Sequence, residues 1–289
     1  MTTLQPQGTT AVSGAASGAV SGAAGAARIG FIGLGNQGAP IARRMADAGW
    51  PLAVWARRPE ALADFSDVPA CESPEALAER SDILCICVLD DAGVEDVVGR
   101  VLPHLPAGAL IAVLSTTHPE TCRRLAAAAA ARGIALVDAP VSGGAAGAQA
   151  GTMAVMMGGT PEDCARLQPL FASFARLVER LGEVGAGQNA KLVNNALMAA
   201  ILDVTQDARE TGAALGLDLA ALDKVLAASS GASFALGVLA RMPSLAAFGH
   251  GARLLRKDVG LLAALCGDAA ITPPPMIAAG NRFVDRTGA

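Results

Sequence analysis

The chain has 289 residues, 52% of them hydrophobic, enough to bury the core of one large domain or two modest ones. Its 22 basic and 26 acidic residues leave a formal charge of -4, which argues against a broad nucleic-acid surface of clustered Lys and Arg. Tyrosine is absent and aromatic residues make up 3%, so stacking platforms for bases are not expected either.

Residues 1–27 carry no charge and are mostly Ala, Gly, Ser and Thr. They read as a low-complexity, disordered extension. They lack the basic and strongly apolar regions of a secretory signal and the arginines of a transit peptide. Later apolar runs are broken by Gly, Pro or charge, so no membrane span is expected and a cytoplasmic protein is the default.

A strand over 28–33 leads into Gly33-Leu34-Gly35-Asn36-Gln37-Gly38 and a helix over 37–48. Strand, glycine turn and helix in that order form the phosphate-binding start of a dinucleotide fold. Gly33 permits the tight turn, Gly35 lets backbone approach a pyrophosphate, and Gly38 lets helix and strand pack closely. The helix N-terminus offers free N–H groups to the phosphates. A tight packing turn is the bland alternative.

A second strand over 51–55 ends in Ala56-Arg57-Arg58-Pro59, and the first acid beyond it is Glu60, at the start of a helix. An acid at the strand end would favour NAD by bonding the adenine ribose. Two arginines instead suit a ribose phosphate, which favours NADP, with NAD also possible. Two solvent-facing loop arginines would look the same.

The alternation continues with a helix at 74–80, a strand at 82–89, a helix at 92–101, a strand at 109–115, a helix at 119–132 and a strand at 134–139. These apolar strands do not alternate with polar residues, as expected for a parallel sheet covered on both faces. Six cysteines and three scattered histidines show no metal-ligand spacing, so reduced thiols and no metal site are expected.

The last of these strands runs into Asp138-Ala139-Pro140-Val141-Ser142-Gly143-Gly144. Free N–H groups in such a loop, with the Ser142 hydroxyl, suit a carboxylate; a simple turn is the alternative. A strand at 152–157, a helix at 161–171 and a strand at 178–184 follow. From Gly187 the pattern is helical: 188–215, then 219–228 capped by Asp218, 233–240, 251–266 and 274–284. The expected architecture is an α/β Rossmann-like domain over 28–186, joined through a long helix to an all-helical domain over 187–289.

The long helix carries Lys191 and Asn195, four apart and so on one face, with Asn194 beside them. A lysine near a nicotinamide would protonate a carbonyl oxygen as hydride reaches the carbon, or take the hydroxyl proton in reverse. Asn195 would hold the same oxygen or orient the lysine. A surface lysine is the alternative. Lys257-Asp258, set among leucines, is either a solvated pair or a cation held over a cleft.

Taken in order, these motifs resemble the β-hydroxyacid dehydrogenases, which include 3-hydroxyisobutyrate dehydrogenase, tartronate semialdehyde reductase and the glyoxylate/succinic semialdehyde reductases. The resemblance runs from Arg28 to about Arg286 through the glycine turn, Ser115-Thr116-Thr117-His118-Pro119, Asp138 to Gly144, Gly185 to Asn195, and Lys257-Asp258. Gln37 stands where methionine is more common. The resemblance implies Lys191 as acid/base with Asn195 as its partner. It implies cofactor contacts from Leu89, Asp90 and Thr116, a substrate carboxylate held by Ser142, Gly143 and Gly144, and Lys257 closing over the cleft. It further implies a short hydroxyacid or semialdehyde as substrate and a homodimer or homotetramer. Imine reductases share the fold but usually lack this lysine; an idle NADP-binding scaffold is a further alternative. The small, apolar stretch 229–248, with no arginine before Arg241, fits a modest substrate better than a diacid.

Overall fold

The structure, a computed structural model, describes residues 27–288, so the extension read over residues 1–27 lies outside it except for Ala27. Five short apolar runs form β1 (Ile29–Ile32), β2 (Leu52–Trp55), β3 (Ile83–Ile86), β4 (Leu110–Val113) and β5 (Ala135–Asp138), all parallel in the order β2-β1-β3-β4-β5. Between them lie α1 (Gly38–Asp47), a 3-10 helix (Pro59–Phe65) that includes Glu60, α2 (Pro74–Ala78), α3 (Asp91–Val101) and α4 (Pro119–Ala130).

Neighbouring side chains point to opposite faces of the sheet, and both faces are covered. Phe31, Val54 and Cys85 pack with Ile41 and Met45 on one side; Ile32, Leu84 and Ile86 pack with Val98 and Ile111 on the other. This double burial is why the strands read as unbroken apolar runs. The six cysteines are unpaired thiols, and burial pushes Cys87 up to about 12.

The chain departs from expectation after β5. The segment read as a loop holds a two-residue strand, β6 (Val141–Ser142), and a short helix, α5 (Gly144–Ala150). Next come β7 (Met153–Gly158), α6 (Pro161–Phe171) and β8 (Ala175–Gly182). β7 runs antiparallel to β5 and β6 and parallel to β8. The last strand starts at Ala175 rather than 178, because Ala175 already pairs with Met153.

The remainder is helical: α7 (Ala186–Ala214), α8 (Leu219–Ala227), α9 (Phe234–Leu239), a 3-10 turn (Leu245–Phe248), α10 (Gly249–Asp268) and α11 (Pro275–Arg286). Asp218 caps α8 as expected, its carboxylate accepting the Ala221 N–H at 2.7 Å. Leu192, Ala199 and Leu202 of α7 form a third core with Val259 of α10 and Phe283 of α11. The fold is therefore a Rossmann-like α/β unit followed by an all-helical one, linked by α7. At 29 residues, α7 is about 43 Å long.

The parallel register sets Ile32, Ile86, Val113 and Asp138 in one row. The turns that follow them leave the same edge of the sheet. The chain order reverses about β1, with β2 on one side and β3 on the other, and ligands of such sheets bind at that reversal.

Candidate active site

The glycine turn after β1 has three glycines with three different reasons. Gly33 has φ +104°, and a Cβ there would overlap the Cys87 carbonyl oxygen. A Cβ on Gly38 would overlap the Gly33 carbonyl oxygen, so this glycine lets α1 start hard against the strand. A Cβ on Gly35 would meet nothing within 4 Å. Protein packing therefore gives no reason for Gly35, whereas close approach of a phosphate does.

No side chain caps the start of α1; the Ala39 N–H already donates to the Gly35 carbonyl at 3.0 Å and Pro40 has no N–H, so the backbone of the glycine turn up to Gly38 is what remains to meet a phosphate. A cleft of about 570 Å³ opens there, lined by Leu34, Gly35, Asn36, Pro40, Arg58 and Glu60. Arg58 faces this cleft; Arg57 is exposed beside it and does not line it. Gln37 is half-buried at the helix start. Concave shape, the glycine-turn backbone and a guanidinium fit the pyrophosphate and ribose end of a dinucleotide.

At the end of β3, Leu89 is 68% exposed. The Asp90 carboxylate is committed to α3, accepting the Gly93 N–H at 2.9 Å. That leaves Leu89, the other Asp90 oxygen and the backbone of this loop to meet a ligand.

The turn after β4 is a junction. Ser115 Oγ accepts the Val88 N–H at 2.8 Å, tying it to the β3 loop. The Thr116 carbonyl accepts from Lys257 Nζ at 2.6 Å, tying it to α10. The Thr117 N–H donates to Gln188 Oε1 at 3.0 Å, and Gln188 Nε2 donates to the Ser115 carbonyl at 2.9 Å, tying it to α7.

Lys191 stands on α7, one turn beyond Gln188, and is 8% exposed. Its Nζ has no hydrogen-bond partner among the described residues. Burial lowers its pKa to about 8; Lys257 pushes the same way and Asp258 opposes. An amine with that pKa can donate or accept a proton near neutral pH.

Asn195 lies one turn further on. Its Nδ2 donates to Asp258 Oδ2 at 2.5 Å, and its Oδ1 accepts from Asn194 Nδ2 at 3.1 Å. Asp258 is buried, and its other oxygen is 3.2 Å from Lys257 Nζ. Lys257 is therefore paired rather than free, and it joins Thr116 to Asp258 and Asn195 in one chain of polar contacts.

Ser142 ends β6 half-buried, and Gly143 and Gly144 are exposed with φ +133° and +62°. No side chain caps the start of α5. These residues have no direct bond to the Lys191 network. They reach it through β7, where Ser142 pairs with Ala154 and the Met156 carbonyl lies against Gly187.

Two residues of the junction escape a reading of the sequence. Asp258 was visible only as half of a charged pair among leucines. Gln188 had no signal at all beyond its place one turn before Lys191. Among the described residues no cluster of three or more His, Cys, Asp or Glu side chains is placed to hold a metal ion, and no helix is long and apolar enough to cross a membrane.

Comparison with known proteins agrees with this fold. Residues 28–185 match the family model for the NAD binding domain of 6-phosphogluconate dehydrogenase. Residues 185–288 match that for the NAD-binding region of NADP-dependent 3-hydroxyisobutyrate dehydrogenase. A 3-hydroxyisobutyrate dehydrogenase of Pseudomonas aeruginosa is 36% identical over 81% of this chain and 83% of its own length. A NAD-dependent L-serine dehydrogenase of the same organism is also 36% identical, over 81% of this chain and 83% of its own length. The solved structure of Mycobacterium tuberculosis 3-hydroxyisobutyrate dehydrogenase with L-serine superposes with a TM-score of 0.79 and 26% identity, covering 90% of this chain and 93% of that one.

Proposed function

The chain belongs to the β-hydroxyacid dehydrogenase family of NAD(P)-dependent oxidoreductases, and we propose that it interconverts a short β-hydroxyacid and its semialdehyde or keto acid, with a preference for NADP. The observation that carries this reading is Lys191: a nearly buried amine, not spent on a hydrogen bond among the described residues, with a pKa lowered to about 8. A surface lysine would be neither buried nor lowered in pKa. Imine reductases usually lack this lysine, and an idle scaffold would have no use for it.

The dinucleotide, when bound, supplies or takes the hydride. Gly33 to Gly38 and the start of α1 hold its pyrophosphate, and Arg58, with Arg57 beside it, holds the ribose phosphate. Leu89, Asp90 and Thr116 border it. Ser142 and the N–H groups of Gly143 and Gly144 hold the substrate carboxylate, and Lys257, held by Thr116 and Asp258, adds positive charge near Lys191. Lys191 gives its proton to the carbonyl oxygen during reduction and takes the hydroxyl proton during oxidation. Asn195, fixed by Asp258, holds the reacting oxygen beside it. The relatives named for 3-hydroxyisobutyrate and L-serine support a substrate of that size and charge. The exposed apolar side chains of Val193, Leu197 and Val204 on α7 support a homodimer or homotetramer.

The test is a panel of short hydroxyacids and semialdehydes that includes 3-hydroxyisobutyrate and L-serine, assayed with NADP and NAD by nicotinamide absorbance. Turnover on at least one, faster with NADP at equal concentration, is expected. NADPH binding without turnover on any member would replace this reading with the scaffold.

A further inference from the structure

Six of the eleven α-helices among the described residues take an N-terminal cap from the residue just before them: Ser73, Asp90, His118, Thr160, Asp218 and Ser233 each accept an N–H of the helix they precede. α7 does not. Gly185 precedes it and has no side chain to offer. Its cap comes instead from Asp138, 47 residues upstream at the end of β5.

Asp138 is fully buried. Its Oδ1 accepts the Gly185 N–H at 2.6 Å and its Oδ2 the Gln188 N–H at 2.8 Å. A carboxylate at a helix start satisfies unpaired N–H groups and meets the positive end of the helix dipole. The surroundings are shaped to it: a Cβ on Gly158 would overlap Oδ1, and one on Gly187 would stand 2.9 Å from Oδ2. Burial still pushes its pKa up to about 6, against the pull of the two N–H groups and of Arg123.

The side chain of Gln188 makes the second attachment. It accepts from the Thr117 N–H and donates to the Ser115 carbonyl, at 3.0 and 2.9 Å. The first turn of α7 is thus pinned to the ends of two strands, β5 through Asp138 and β4 through Gln188. A local cap would satisfy the same N–H groups without fixing the helix to the sheet. Lys191 is on the next turn, three residues after Gln188. Lys257 is fixed to Thr116, inside the same three-residue segment that Gln188 holds.

We propose that Asp138 and Gln188 are positioning residues: together they latch the first turn of α7 to the ends of β4 and β5 and so set where the Lys191 amine stands. This rests on Lys191 being the acid/base. Neither residue touches substrate in this scheme; both act through Lys191.

A double-mutant cycle tests it in the full-length protein, with 3-hydroxyisobutyrate and L-serine as probes and NADP as cofactor. Asp138→Asn turns one acceptor into a donor facing an N–H. Gln188→Met keeps volume and loses both bonds to the β4 turn. Each should lower kcat about 10- to 100-fold, the scale of an ångström-level misplacement, while KM and the NADPH dissociation constant stay within about threefold. In the Lys191→Ala background the same substitutions should change kcat by less than about twofold, since residues acting through one group are not additive. In Gln188→Met, amide hydrogen exchange at Thr117 should accelerate, a readout independent of turnover.

An equal fold-loss in both backgrounds would overturn the latch and leave an ordinary structural cap. Unchanged kcat in Gln188→Met would overturn it too. If Asp138→Asn does not fold, Gln188→Met alone carries the cycle. Lys191→Ala with native turnover would fail the acid/base reading itself, which is distinguishable from failure of the latch.

Discussion

A lysine buried beside another lysine is a costly arrangement, and Lys191 is the residue where that cost has a chemical return. Its ammonium form predominates below about pH 8 and its amine above. Reduction, which needs the acid, should fall as pH rises through that value, and oxidation, which needs the base, should rise. Asp258 holds the pKa up and Lys257 holds it down, so Asp258→Asn should move the limb to lower pH and Lys257→Met to higher. Steady-state pH profiles of both directions check the sign. Lys191→Ala should abolish the limb and cut turnover about 10²–10⁴-fold while NADPH binding persists. Near-native turnover would remove Lys191 from the chemistry. At the other end of the site, Arg58 rather than Arg57 lines the cleft. Arg58→Ala should raise the Michaelis constant for NADP roughly 10- to 100-fold more than that for NAD, the range of a lost charge-assisted bond. Arg57→Ala should do less. Equal effects on the two cofactors would end the phosphate assignment.

At the scale of elements, the turn from β1 to α1 separates folding from binding within six residues. Gly33 is held by its positive φ and by the Cys87 carbonyl; Gly35 is held by nothing in the protein. Gly33→Ala should therefore destabilise the fold by more than about 2 kcal/mol, through backbone strain and overlap. Gly35→Ala should leave the melting temperature of the free protein within a degree or two and weaken NADPH binding at least tenfold, because the added methyl stands where a phosphate must come. Thermal melts and fluorescence titration separate the two. Parallel loss of stability in both variants would contradict the division of roles.

The whole molecule places its chemistry at a seam. Two cores sandwich the sheet and a third lies within the helices, with α7 running from one to the other. Along α7 the outward side chains Val193, Leu197 and Val204 remain 45, 50 and 54% exposed in the single chain. A second copy covering this face accords with the proposed homodimer or homotetramer. Leu197→Glu should then yield a smaller species by light scattering, since a carboxylate buried without a partner is strongly disfavoured. An unchanged mass would place the interface elsewhere.

The local patterns were legible in the sequence because they depend on neighbours along the chain. Unbroken apolar runs marked strands covered on both faces, the glycine spacing marked the turn, and four-residue spacing put Lys191 and Asn195 on one helix face. Helix starts with a local cap, as at Asp218, were legible for the same reason. Tertiary structure decided everything that depends on approach through space. It turned the stretch after Asp138 into a strand and a helix, because β6 finds its partner in β7 only after the chain doubles back. It directed the Asp138 carboxylate to α7, 47 residues away, and joined Asn195 to Asp258 across 63. It also set the pKa of Lys191, because desolvation comes from whatever packs around a group, and α7, α10 and the turn after β4 are joined there.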